Sequence, residues 1–153
     1  MRAWALLGGA LLAACAPSPG LRPFTSDGCS LFPDRALVGK ADWCSCCLAH
    51  DLAYWRGGTE AERLAADRAF EACVLTRTAD KLLATTMFNG VRAGGGPELD
   101  TSFRWGYGWA YGRGYKALAP DERATADALE SEYRARKEPG ACGRPPSAGA
   151  DPP

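Results

Sequence analysis

The chain has 153 residues, room for one domain, and its 46% hydrophobic content is enough for a modest core rather than disorder. With 18 basic and 18 acidic side chains and no formal net charge, it carries no bulk signature of nucleic-acid binding.

The N-terminus reads as a targeting segment. Arg2 precedes an apolar run, Ala3 to Ala14, broken only by Gly8 and Gly9. That run is too short to span a bilayer and has the length and flanks of a secretory signal. Its end, Leu12-Ala13-Ala14-Cys15, resembles the bacterial lipobox, in which Cys15 would receive lipid and become the first mature residue. Ordinary cleavage that leaves Cys15 free is the alternative. The expected layout is a signal over 1–14, a tether over 15–23, a folded domain over 24–137 and a flexible tail over 138–153. The mature chain would be anchored to a bacterial envelope membrane, expected to be the outer one, on its periplasmic or surface face.

Export alters the cysteine arithmetic. Of 7 cysteines, Cys15 is set aside, which leaves Cys29, Cys44, Cys46, Cys47, Cys73 and Cys142. An even set in an oxidising compartment points to disulfides, for which six cysteines allow about 15 connectivities. Zinc is disfavoured at Cys44, Cys46, Cys47 and His50, because adjacent cysteines on a helix converge poorly on one ion.

Phe24 to Asp34 is rich in turn formers and reads as a loop. Asp27 and Gly28 there can offer a side-chain oxygen and backbone carbonyls to a cation, although a plain polar turn would look the same. A first helix is expected from Ala41 to Arg56, ended by Gly57-Gly58. It holds His50, the only histidine, followed directly by Asp51. Trp43, Cys46, His50 and Tyr54 fall on one helical face, and Asp51 points to the neighbouring side.

Thr59-Glu60-Ala61-Glu62 is a capping box and opens a second helix, with Leu64, Asp67, Phe70 and Val74 on one stripe. The short turn makes the two helices antiparallel neighbours. His50 and Asp67 are equally far from the middle of that turn, so they should be level. A carboxylate facing an imidazole holds one ring nitrogen protonated and frees the other to accept a proton. Asp67 on an apolar stripe needs a partner, His50 or else Arg63 or Arg68.

A third helix is expected over Ala79 to Arg92, with Leu82, Leu83, Thr86 and Met87 inward. Phe103 to Tyr115 then alternates aromatics with glycines. It reads as packing over the helix pair, with a membrane-interface surface as the alternative. A final helix is expected from Pro120 to about Lys137.

These pieces together resemble the secreted phospholipase A2 superfamily, above all its small bacterial and fungal branch. The matching residues are Asp27-Gly28-Cys29-Ser30 with Pro33-Asp34, Cys47-Leu48-Ala49-His50-Asp51 with Tyr54, and Asp67-Arg68-Ala69-Phe70. The loop lacks the glycine-rich pattern of the animal enzymes, and Ala53 stands where they commonly have cysteine. The resemblance implies a mainly α fold, an antiparallel disulfide-linked helix pair with a calcium-binding loop and additional helices.

It also implies roles. His50 would activate water, Asp67 would orient it, and Tyr54 would support the pair. Ca2+ would be held by the Asp51 and Asp27 side chains and the Gly28 carbonyl, and the substrate would be the sn-2 ester of glycerophospholipids at a membrane surface. The family's pairings imply Cys29–Cys47 and Cys46–Cys73, which leaves Cys44–Cys142. The competing readings are a noncatalytic calcium- or lipid-binding envelope lipoprotein and a purely structural one.

Overall fold

The computed structural model describes residues 20–37, 39–136 and 142. The signal segment, Cys15, and the tail apart from Cys142 lie outside them. The described residues form four helices and no strand: α1 (Cys44–Arg56), α2 (Glu60–Thr78), α3 (Lys81–Gly94) and α4 (Pro120–Ala135).

Helix α1 starts three residues later than expected. Ala41 to Trp43 instead tie back onto the preceding loop: the amides of Ala36 and Trp43 donate to the carbonyls of Ala41 and Asp34. The Asp42 carboxylate accepts from the Cys44 amide, so one orphan donor of the first turn is satisfied. Gly57, at φ 67°, turns the chain out of α1. The Thr59–Glu62 capping box opens α2, as its sequence signals.

Ala79 does not begin α3 but closes α2. It sits in the left-handed region at φ 55° and donates its amide to the Leu75 carbonyl. Asp80 then caps α3 by accepting from the Leu83 amide. The face of α3 is only half as expected. Met87 is buried and Leu83 packs partly buried against the core, whereas Leu82 is 79% exposed, Thr86 is exposed, and Ala84 is buried in their place. On α2 the buried stripe is Arg63, Asp67, Phe70 and Val74, with Leu64 displaced outward.

Disulfides join Cys29 to Cys47, Cys46 to Cys73 and Cys44 to Cys142. Cys46–Cys73 ties α1 to α2, and Cys29–Cys47 ties the 24–34 loop to α1. Around them lies one core cluster, with Trp43, Phe70, Val74, Ala84 and Met87.

The other cluster is aromatic and is built from Phe24, Trp55, Trp105, Tyr107, Trp109 and Tyr133. Three aromatics of the Gly-rich run, Trp105, Tyr107 and Trp109, are therefore packing residues, while Tyr111 stays exposed. The alternation has a physical reason. The run lies across the C-terminal end of α1 and satisfies its orphan carbonyls: Gly106 and Gly108 amides donate to Tyr54 and Trp55, and the Trp109 indole to Arg56. At Gly57 a Cβ would stand 2.9 Å from the Gly106 Cα, so the close approach needs glycine there. Packing also starts before Phe24, since Arg22 exchanges contacts with Tyr107 and Gly108 and Leu21 joins the aromatic cluster.

Candidate active site

His50 and Asp67 meet level across the helix pair, with Nε2 of His50 2.9 Å from Oδ1 of Asp67. A carboxylate only accepts, so Nε2 carries a proton, and in the neutral ring Nδ1 is the acceptor. The ring packs against Tyr54 and Phe70, at centroid distances of 4.1 and 4.8 Å and tilted 36° to each, which restricts its rotation. Tyr54 Oη donates to the same Asp67 oxygen at 2.8 Å.

Behind them stand Arg63, one of the partners the sequence allows Asp67, and Arg92, whose sequence position signals little. Arg92 Nη1 reaches Oδ2 of Asp67 at 2.6 Å. Arg63 is buried: its Nε donates to Tyr54 Oη at 3.0 Å, and its Nη2 to the carbonyls of Val91 and Arg92 near the C-terminal end of α3. Those carbonyls are the negative end of a helix, a natural seat for a guanidinium. Asp67 thus pairs both with His50 and with arginines. Burial pushes its pKa up, but the hydrogen bonds from His50, Arg92 and Tyr54 outweigh that and hold it below the ordinary carboxylate value. A Cβ on Gly95 would stand 2.5 Å from Tyr54 Cε1, so this glycine makes room for the ring.

Asp51 has different surroundings. It is buried, and Ser26 Oγ donates to its Oδ2 at 2.6 Å. Burial, with Asp27 and Asp34 nearby, pushes its pKa up to about 7 against the one lowering hydrogen bond. Asp27 accepts from Ser30 Oγ, and Asp34 from the Cys29 amide. Gly28, at φ 84°, lies against Asp34 and donates its amide to Ser26 Oγ.

Asp27 and Asp51 line a chamber of about 200 Å³. Among the described residues no three His, Cys, Asp or Glu side chains converge as a metal-binding group. The donors available to a cation are therefore carboxylates supplemented by backbone carbonyls. A buried carboxylate with like charges beside it and all-oxygen surroundings fits a hard cation such as calcium.

On the other side of Asp51 opens an apolar cavity of about 400 Å³. His50 and Asp51 lie in its wall with Phe70, Met87 and Val91, and Leu31 and Phe32 also line it. A base, a buried carboxylate and an apolar channel thus share one opening. This arrangement can bring an acyl ester to a proton acceptor. Ser26, Asp34, Arg63 and Arg92 were all readable as residues, but their roles depend on which elements meet.

Compared with known proteins, the chain matches no family model, no curated protein and no solved structure.

Proposed function

We propose that the chain is a calcium-dependent hydrolase of the sn-2 ester of glycerophospholipids, a phospholipase A2-like enzyme working from a lipid anchor at Cys15 in a bacterial envelope. The observation that carries this reading is the His50–Asp67 pair opening onto an apolar cavity whose wall also holds the buried, charge-poor Asp51.

In this reading the acyl chain lies in the apolar cavity, which excludes water except at the reacting end. Nδ1 of His50 takes a proton from the attacking water. Asp67 keeps the ring in the tautomer that can do so and stabilises the imidazolium that forms. Tyr54, Arg63 and Arg92 hold Asp67 in place and ionised. Asp51, Asp27 and the Gly28 carbonyl would hold calcium, which supplies polarisation of the ester carbonyl and offsets charge on its oxygen. The same His50 proton then passes to the leaving glycerol oxygen, which yields a free fatty acid and a lysophospholipid.

Leu31, 92% exposed at the mouth of the cavity beside Phe32, offers apolar contact to a lipid surface. Among the described residues no helix is long and apolar enough to cross a membrane.

The test is fatty-acid release from phospholipid vesicles with and without a calcium chelator, for the wild type, His50→Ala and Asp51→Asn. Release should depend on calcium and vanish in both variants. Release that persists in His50→Ala ends the assignment of the base. Calcium or lipid binding without turnover in the wild type would favour the noncatalytic binding protein instead.

A further inference from the structure

Three cavities meet in series across the molecule. The apolar one shares Ser30, Asp51 and Phe103 with the acidic chamber. The acidic chamber shares Thr25, Ser102 and Tyr107 with a third cavity, of about 450 Å³. The mechanism above makes no use of this third space.

Its walls have the opposite charge. Arg22, Arg104, Thr101 and Ser102 line it against one carboxylate, Asp100. Arg104 is buried, and its guanidinium donates to the backbone carbonyls of Thr101, at 3.3 Å, and Trp109, at 2.8 Å, and lies over the Tyr111 ring, with no carboxylate partner among the described residues. Arg22 gives one bond, to the Tyr107 carbonyl at 2.6 Å. A guanidinium has five N–H donors, so both arginines keep donors to spare. Thr101 Oγ1 is buried and has no hydrogen-bond partner among the described residues. A buried cation with no carboxylate partner and an orphan hydroxyl are both costly unless something polar and anionic joins them.

We infer that this third cavity is a subsite for a phosphodiester headgroup esterified to a small polyol, with Arg22 and Arg104 as its anion donors. The inference rests on the reading of the site as a phospholipid hydrolase and names its substrate class. Acyl chain, ester and phosphodiester follow one another in a glycerophospholipid. Apolar channel, acidic chamber and basic cavity follow one another here. Guanidinium groups suit phosphate oxygens in forked geometry. A choline head would set its own cation against Arg22 and Arg104, so an anionic glycerol head is favoured over a choline one.

The test uses the full chain and the acyl-free headgroup glycerophosphoglycerol, followed by NMR at the Ser102 and Gly108 amides and the Trp55 indole. Inorganic phosphate forms the second arm. The headgroup should shift those signals in the wild type and bind Arg22→Gln about tenfold more weakly, the size of one lost charge-assisted hydrogen bond. Thr101→Val, nearly isosteric, should weaken it several-fold. Three results overturn the subsite: no headgroup binding by the wild type, equal binding by Arg22→Gln, or inorganic phosphate binding as tightly as the headgroup. Equal hydrolysis of phosphatidylglycerol and phosphatidylcholine vesicles by the wild type also overturns it. Headgroup binding that depends on Arg22, in a protein that releases no fatty acid from either lipid, upholds the subsite and removes the hydrolase reading.

Discussion

Asp67 is bonded to the His50 imidazole and Asp51 follows it in the chain, and each is buried. Asp67 receives hydrogen bonds from His50, Tyr54 and Arg92, with Arg63 behind them. Asp51 receives one, from Ser26, and faces Asp27 and Asp34. The first carboxylate is satisfied by the chain itself, and its region is finished on folding. The second is left short of positive charge, which the proposed calcium would supply. A general base profits from the first kind of rigidity, and a cation site needs the second kind of vacancy in its charge balance.

The largest break in this comparison should come from His50→Ala. It removes the base but neither carboxylate, and turnover on phospholipid vesicles should fall by roughly 10³-fold, the scale of general-base loss. Calcium binding, measured by calorimetry, should survive.

Asp51 sharpens the contrast through pH. Its folded pKa, about 7, lies above its unfolded value of 3.8. The unfolded chain therefore binds fewer protons between those values, and stability must fall as pH rises through that window. At pH 8 in chelator the cost is on the order of 4 kcal/mol, so denaturant midpoints should drop from pH 5 to pH 8 and calcium should restore them. Asp51→Asn should abolish that drop and be the more stable protein in chelator.

Asp67 carries the opposite sign. Its folded pKa lies below 3.8, so its contribution is present above about pH 4 and lost as pH falls through the folded value. Asp67→Asn leaves the arginines facing a neutral group and should destabilise by about 3 kcal/mol by urea unfolding at pH 7.

Gly95→Ala tests the same side by crowding. A Cβ 2.5 Å from Tyr54 Cε1 should displace the ring, at about 2 kcal/mol, and reduce turnover without altering calcium binding. Arg92→Gln is the smallest change. Its side chain is 28% exposed and Arg63 remains, so about 1 kcal/mol is expected by thermal unfolding.

The level pairing of His50 with Asp67 was legible because it needs only a helical rise and a short turn. The capping box at Thr59 and the packing role of Trp105, Tyr107 and Trp109 were legible for similar local reasons. Arg63 was not. A sequence stripe with Leu64 beside it suggests that leucine faces inward, but the carbonyls at the end of α3 and the Tyr54 hydroxyl reward a buried guanidinium more. Only the placement of α3 against α2 shows this. The late starts of α1 and α3 came from competition as well. Asp42 and Asp80 each accept from an amide at a helix start, and Ala79 takes a left-handed turn that its own propensity disfavours. Leu82 was expected inward on α3 with Met87, yet Ala84 shares the buried face with Met87 instead. The third cavity draws its wall from 22–25, from Trp55 and from 100–108, and no sequence window spans those segments.

The measurement that bears most directly on the division between the two carboxylates is proton release on calcium addition near pH 6.5, by calorimetry in buffers of different ionisation enthalpy. The wild type and Asp67→Asn should bind calcium and release about three-quarters of a proton, the share that Asp51 carries half a unit below its pKa, and Asp51→Asn should do neither. Calcium bound equally by Asp51→Asn, or no calcium bound by the wild type, would contradict the account.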